Sequence, residues 1–391
     1  MPKPVKIAVV GLGSVAQRGV LPHLSQPDIK DRVKLQAVMD TVTERAKASK
    51  DKFGAEEWYD DYNELLKKAD IDAVTLSSPI LLHYEQSLKA ILAGKHVHSN
   101  KPITMRTAEA TRLVEESAKA GVKVVACPGD RPINPAANRI RELLKEKAIG
   151  NVYFAAVAGG TVHEFEAIRQ QDDVLSSIDP TWYYTTDGPP LTVSSNTVYQ
   201  LHQLVSVLGP VKRVTGFSGV VVKERTLLKP APGPFSTWKG TKVTVVNDDN
   251  TLLVCDFGNS VYAHVIGGLS RIQGYPSFYI SCSAGSIQVT REGLEINKHE
   301  LGSGRPPERV VEELPRRALP YVSGVHEKLP ESHVYNDIMH LVDCIINDRP
   351  PIVYDNVLSL MIARHVIEIG EKGWIAANTG QTQTLTTSLW H

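Results

Sequence analysis

Up to Gly150 the chain alternates short apolar runs with longer stretches of mixed charge. Val5–Val10, Val33–Met39, Asp72–Ser78, His96–Ser99 and Lys123–Cys127 read as strands. Most are nearly continuous apolar runs, the pattern of a parallel sheet covered by helices on both faces. Between them Thr41–Phe53, Leu81–Ala93 and Thr107–Ala120 read as helices, the last with Thr107 as N-cap and Gly121 at its C-terminal end. This alternation predicts a right-handed, doubly wound α/β unit.

Beyond Gly150 the period changes. Asn151–Val162, Val211–Val222, Lys242–Phe257 and Phe278–Thr290 are longer and alternate more, which predicts a large, open, mostly antiparallel sheet. Asn247-Asp248-Asp249-Asn250 sits between two β-rich arms and reads as a hairpin turn; it lacks the spaced ligands of a calcium loop. Leu228–Pro234 and Gly302–Pro320 read as loops, and Ser332–Asn347 and Asn356–Gly370 as closing helices. Two domains follow, residues 1–127 and an α+β unit over 128–391, with the closing helices free to pack back on the first.

Composition narrows the function. The 391 residues are 42% hydrophobic and 22% charged, as in an ordinary globular protein. Lys plus Arg and Asp plus Glu both number 43, so no net charge draws the chain to nucleic acid or an anionic membrane. No stretch approaches the ~20 apolar residues of a membrane span, and the short apolar start has no cleavage site. Cys127, Cys255, Cys282 and Cys344 lie far apart without C-x-x-C spacing, against a disulfide framework or structural zinc. His96 and His98 alternate on one strand but lack a third ligand, so no metal is expected. The expected location is the cytoplasm.

Gly11-Leu12-Gly13-Ser14-Val15-Ala16 follows the first strand and opens a helix. This is the G-x-G-x-x-A dinucleotide fingerprint: Gly11 for the tight turn, Gly13 for close approach to a pyrophosphate, Ala16 for helix–strand packing. The helix N-terminus, with Ser14 and Val15, turns its N–H groups toward phosphate. The second strand ends at Asp40-Thr41, where a carboxylate accepts ribose hydroxyls and repels a 2′-phosphate. NAD(H) is therefore favoured, with NADP(H) kept open by Arg45. The first domain is thus a Rossmann unit.

Ser78-Pro79 with His83, and the run Ala93-Gly94-Lys95-His96-Val97-His98-Ser99-Asn100-Lys101-Pro102, closely resemble the Gfo/Idh/MocA oxidoreductase family. Arg131-Pro132-Ile133-Asn134-Pro135, Leu208-Gly209-Pro210-Val211 and Asn347-Asp348-Arg349-Pro350-Pro351 extend the resemblance over most of the chain, while Gly219–Leu329 is generic. It implies hydride transfer between NAD(P) and a secondary hydroxyl of a sugar, sugar derivative or polyol. It also implies a homodimer or homotetramer formed through the second sheet. Ser78, Pro79, His83, Asn100 and Lys101 would border the cofactor, with Lys101 matching the lysine of the family's Glu-Lys-Pro motif.

The chain departs from the family twice. Asn100 stands where glutamate is usual, which predicts a lowered Lys101 pKa through loss of a counter-charge. Counting back from Leu208-Gly209, Ser195, Tyr199 and His202 replace the family's Asp, His and Asp. Tyr199 is then the candidate general acid/base, with His202 three residues on and hence on one helix face. Alternatively both pack as core residues. Arg131, Trp182 and Tyr183, with Tyr184 adjacent, are candidate substrate contacts; an aromatic cluster of this kind also occurs as core. Two further readings stand beside the dehydrogenase. One is an NAD-dependent glycoside hydrolase working by transient oxidation, elimination, water addition and re-reduction. The other is a cofactor-sensing regulatory protein without catalysis.

Overall fold

The computed structural model describes residues 3–160, 184–226, 242–268, 275–299, 302–314 and 319–390. Six parallel strands form the first sheet: β1 (Val5–Val10), β2 (Val33–Met39), β3 (Glu57–Tyr59), β4 (Ala73–Leu76), β5 (His96–Ser99) and β6 (Val124–Ala126). Their order is β3-β2-β1-β4-β5-β6. The strand order reverses between β1 and β4, and that switch point opens a crevice at the carboxyl ends of the strands.

Burial explains which strands were legible. β1, β2 and β4 bury nearly every side chain, so they read as continuous apolar runs. β3 is a three-residue, half-buried edge strand with no such run, and the sequence reading missed it. The same holds for the short helix Tyr62–Lys68, although Asp61 caps it by accepting from Glu64 N at 2.8 Å. Residues 72 and 77–78, expected within the fourth strand, lie outside it.

The second sheet has nine strands among the described residues. In spatial order they are Glu308–Glu312, Leu294–Lys298, Gly285–Val289, Phe278–Cys282, Val152–Gly160, Val261–Gly268, Asn250–Gly258, Arg213–Gly219 and Gln383–Thr384. All neighbours are antiparallel except Val152–Gly160 beside Val261–Gly268. One face packs Leu253, Cys255 and Ile280 against Leu201, Leu204 and Val205 of the helix Val198–Leu208. The other leaves Phe217 and its cross-strand partner Leu252 exposed, at 80% and 42% of their surface.

The expected hairpin around Asn247 does not form. Lys242–Thr244 pairs with Glu224–Thr226, and Asn250–Gly258 pairs elsewhere. Asn247 and Asp249 are buried instead. Asn247 Oδ1 accepts from Leu191 N at 2.8 Å, while the Asp249 carboxylate accepts from Val221 N and Val222 N and pairs with Arg225 at 3.0 Å. Amides and acids that signal an exposed turn here satisfy buried backbone donors.

Helix Ser332–Ile346 lays Tyr335, Ile338, Met339 and Val342 into one core with Val5, Ile7 and Val9 of the first sheet. The last helix runs Ser359–Thr379, starting later and ending later than expected. Gly370 looked like a terminator but lies inside it. So does Gly373, where an added Cβ would lie 2.5 Å from Leu253 Cδ1, so glycine lets helix and sheet approach closely. The stop is Gly380, at φ 69°. Among the described residues no helix is long and apolar enough to cross a membrane, and the four cysteines are buried and unpaired.

Glu368 of this helix is fully buried and clamps the C-terminal tail. Its carboxylate accepts from the backbone and hydroxyl groups of Thr386 and Thr387 at 2.6–2.8 Å. Burial alone pushes the Glu368 carboxyl up, but the Thr387 and Thr386 hydrogen bonds outweigh it and hold it below its usual 4.5. The stabilisation is therefore present at neutral pH and lost as pH falls below 4.5. Glu368→Ala should cost about 2–4 kcal/mol in urea unfolding at pH 7, with the deficit shrinking toward pH 4.

Candidate active site

The crevice at the carboxyl ends of β1, β2, β4 and β5 collects the expected cofactor residues. Gly11, at φ +80°, sits where an added Cβ would lie 2.5 Å from Ser78 Cα and Ser78 N. Glycine is needed there both for the turn and for close packing on the loop after β4. Gly13, Ser14 and Val15 lead into Ala16–Val20, a wide helical turn with Ala16 buried. Asp40 is buried at the end of β2. Its Oδ2 accepts from Leu12 N of the glycine loop at 2.8 Å and its Oδ1 from Val42 N at 2.9 Å. Thr41 is exposed beside it. Arg45 is buried with its Nη1 3.3 Å from Asp40 Oδ2, so it is tied to the carboxylate and not free in solvent. A glycine cradle closed to any Cβ, a helix start and a fixed carboxylate fit a dinucleotide.

His83 braces the rim. Its Nδ1 and Nε2 lie 2.8 Å from Pro102 O and Ser78 O, bridging the loops after β4 and β5. Pro79 precedes the helix Ile80–Leu92 in an extended conformation. Asn100 turns back on the chain, its Oδ1 accepting from Lys101 N at 2.8 Å.

Lys101 reaches across to the second half of the molecule. Its Nζ donates to Ser195 O at 2.7 Å and Ser195 Oγ at 3.1 Å, and lies 5.4 Å from the centre of the Tyr199 ring. Burial pushes the Lys101 ammonium down to about 8, against a smaller upward pull from Cys127 and Glu331. Arg131 flanks the Tyr199 ring too, its guanidinium 4.9 Å from the ring centre. Burial pushes the Tyr199 phenol well above its usual value, so the group is held neutral.

The ammonium thus lies close to the Tyr199 ring, and the Tyr199 hydroxyl lies 3.5 Å from His333 Nε2. His202 is fully buried one helical turn on, its Nδ1 facing Val198 O at 2.8 Å. Its Nε2 has no protein partner among the described residues, and burial pushes the ring down to about 4. Trp182 and Tyr183 lie outside the described residues. Tyr184 is buried among Ile80, Leu191, Val243 and Val245 as a core aromatic.

The two strand histidines have separate partners. His96 Nδ1 accepts from Lys123 N at 2.9 Å, whereas His98 pairs with Thr75 and lies with Cys127 and Asp337 in a buried cluster. Asp337 Oδ2 accepts from Gly129 N at 2.8 Å, holding the turn before Arg131, and Oδ1 accepts from Asn336 Nδ2 at 3.4 Å. Sequence reading also missed Arg18, Asp130, Glu331 and His333, which line a cavity of about 540 Å³ with Arg131 and Gln203. Arg18 follows the glycine motif by two residues, a usable signal; His333 lies too far along the chain from Tyr199 for any spacing rule.

The chain belongs to the Gfo/Idh/MocA oxidoreductase family. Residues 5–127 match its NAD-binding Rossmann domain and residues 137–288 match a C-terminal domain of the same family. A myo-inositol 2-dehydrogenase of Thermotoga maritima is 27% identical over 185 residues, 42% of this chain and 54% of that protein. A D-glucoside 3-dehydrogenase of Escherichia coli is 30% identical over 150 residues, 38% of this chain and 42% of that protein. The chain spans about half the length of such curated relatives. A levoglucosan dehydrogenase solved with NADH and levoglucosan shares the fold, with TM-score 0.73 and 16% identity over 98% of this chain and all of that one.

Two outcomes follow. Gly11→Ala forces a Cβ into the Ser78 backbone at positive φ, so it should lose about 2 kcal/mol or more of stability and weaken NAD⁺ binding at least tenfold by calorimetry. Asn100→Glu adds a counter-charge that favours the protonated lysine, so the falling limb of the pH–rate profile near pH 8 should move up by about one unit. An unmoved limb counts against Lys101 as its source.

Proposed function

We propose that this chain is an NAD-dependent dehydrogenase (EC 1.1.1-like) acting on a secondary hydroxyl of a sugar, sugar derivative or polyol. The observation that carries the reading is the meeting of Lys101 and Tyr199, from opposite halves of the molecule, beside the dinucleotide crevice. The inositol, glucoside and levoglucosan dehydrogenases it resembles support the substrate class.

When bound, the nicotinamide supplies the hydride acceptor. Lys101 contributes positive charge where negative charge grows on the substrate oxygen, and its burial strengthens that interaction. Ser195 holds the ammonium in place through two hydrogen bonds. Tyr199 exchanges a proton with the same oxygen. Arg131 and the free Nε2 of His202 offer polar contacts for further hydroxyls. Trp182 and Tyr183 remain in this proposal as stacking surfaces for a sugar ring.

Assembly belongs to the same reading. The exposed cross-strand pair Phe217 and Leu252 suits a homodimer or homotetramer formed through the open sheet face. Four unpaired thiols suit a reducing, cytoplasmic setting.

The test is a panel of inositols, aldoses and methyl glycosides incubated with the full chain and NAD⁺. Wild type should give net NADH, and Lys101→Ala and Tyr199→Phe should each lower kcat about 100-fold with NAD⁺ affinity retained. Aglycone release without net NADH would instead establish the glycosidase. Dinucleotide binding with no turnover of any panel member would favour the regulatory protein.

A further inference from the structure

Tyr199 needs somewhere to send a proton. Its phenol is held neutral by burial, so it cannot take the proton of an alcohol without giving up its own. The nearest group to its hydroxyl is His333, with Nε2 at 3.5 Å and the two rings edge to face at 5.8 Å and 73°.

His333 is held there by an unusual piece of chain. It stands in the first turn of helix Ser332–Ile346, directly after Glu331, whose backbone is left-handed at φ 58° and ψ 32°. Such a conformation costs a non-glycine residue on the order of 1–2 kcal/mol and persists only where surroundings impose it. Here Arg18 imposes it, pairing with Glu331 Oε1 at 2.6 Å from the turn that follows the glycine motif. Gly19 leaves the room: a Cβ there would lie 2.4 Å from Glu331 Cβ. The cofactor-binding turn therefore fixes the residue that fixes His333.

The surroundings suit a neutral imidazole that can take up a proton. Burial pushes His333 down, Asp130 and Glu331 pull it up, and Arg131 and Lys101 push it down; His98 and His23 also feel its charge. Glu331 Oε2 lies 3.6 Å from His333 Nε2, close enough to pair with an imidazolium. His333 also lines the cavity formed with Arg18, Asp130, Arg131, Gln203 and Glu331.

Resting on the dehydrogenase reading, we propose that His333 is the proton-relay partner that positions and discharges Tyr199. As the substrate O–H bond breaks, its proton forms a bond to Tyr199 Oη, and the phenol proton passes to His333 Nε2. The C–H electron pair and hydrogen leave together as hydride, which the nicotinamide would accept when bound. The imidazolium, paired with Glu331, returns to neutral by losing its proton to water in the cavity. Tyr199 ends as it began, a neutral phenol.

The test uses the full chain with NAD⁺ and whichever panel sugar wild type oxidises. His333→Gln keeps a polar group of similar size but cannot carry the proton. It should lower kcat about 10- to 100-fold, leave KM within about threefold and NAD⁺ affinity unchanged, and remove the acidic limb of the pH–kcat profile. Wild-type kcat and profile would overturn the proposal, as would a loss matched by weakened NAD⁺ binding. A second readout needs no turnover: in ¹⁵N-histidine spectra, Tyr199→Phe should shift the His333 Nε2 resonance and its titration. An unshifted His333 overturns the pairing even if His333→Gln misfolds. If no sugar is oxidised, the dehydrogenase reading fails while the spectra still decide whether phenol and imidazole are coupled.

Discussion

A partly buried lysine whose ammonium turns onto the other half of the chain is the constraint around which this molecule is arranged. Lys101 follows the end of β5, where the parallel sheet opens its crevice, and its ammonium is accepted by Ser195 from the other half of the chain. A buried ammonium without acceptors would be strongly unfavourable. The Ser195 carbonyl and hydroxyl meet that need, and in doing so they set the two halves in register. The same contact brings the Tyr199 ring to the lysine, because residues 195 and 199 lie on consecutive turns of one helical stretch.

Around this contact the C-terminal segments act as fasteners. Helix Ser332–Ile346 belongs by sequence to the second half but buries its apolar face in the core of the first sheet. Its N-terminal end carries Glu331 against Arg18 and His333 against Tyr199. The last helix packs on the second sheet through Gly373 and on the first through Ala363 and Ile367. The crevice therefore has walls that cannot separate without exposing apolar surface from both cores, at about 25 cal/mol per Å². Such rigidity suits chemistry that requires a hydroxyl, an ammonium and a phenol in fixed relation.

Reading the chain from its residues succeeded where one local signal sufficed. Nearly continuous apolar runs located β1, β2, β4 and β6, and the glycine motif with Asp40 pointed to a dinucleotide crevice. Failure came where a residue's meaning depends on distant partners. Asn247 and Asp249 carry the composition of a turn, yet they serve as buried acceptors because Leu191, Val221 and Val222 bring their amides to them. Gly370 has the identity of a terminator, yet it sits inside a helix pressed against a sheet. Arg45 kept NADP(H) open in the sequence, and the fold buries it against the Asp40 carboxylate.

The site divides along the same line. Sequence alone determined the nucleotide-binding unit from a strand, a turn and a spacing of a few residues, and the family resemblance made Lys101 and Tyr199 candidates. Only tertiary structure decided what those groups face: that the ammonium meets the phenol's ring, that Asp40 holds the glycine loop, and that His333 stands at the phenol's hydroxyl. Contacts between residues far apart in the chain leave no periodic trace, because they arise when separate elements bury their apolar faces together and the polar groups left between them must find one another.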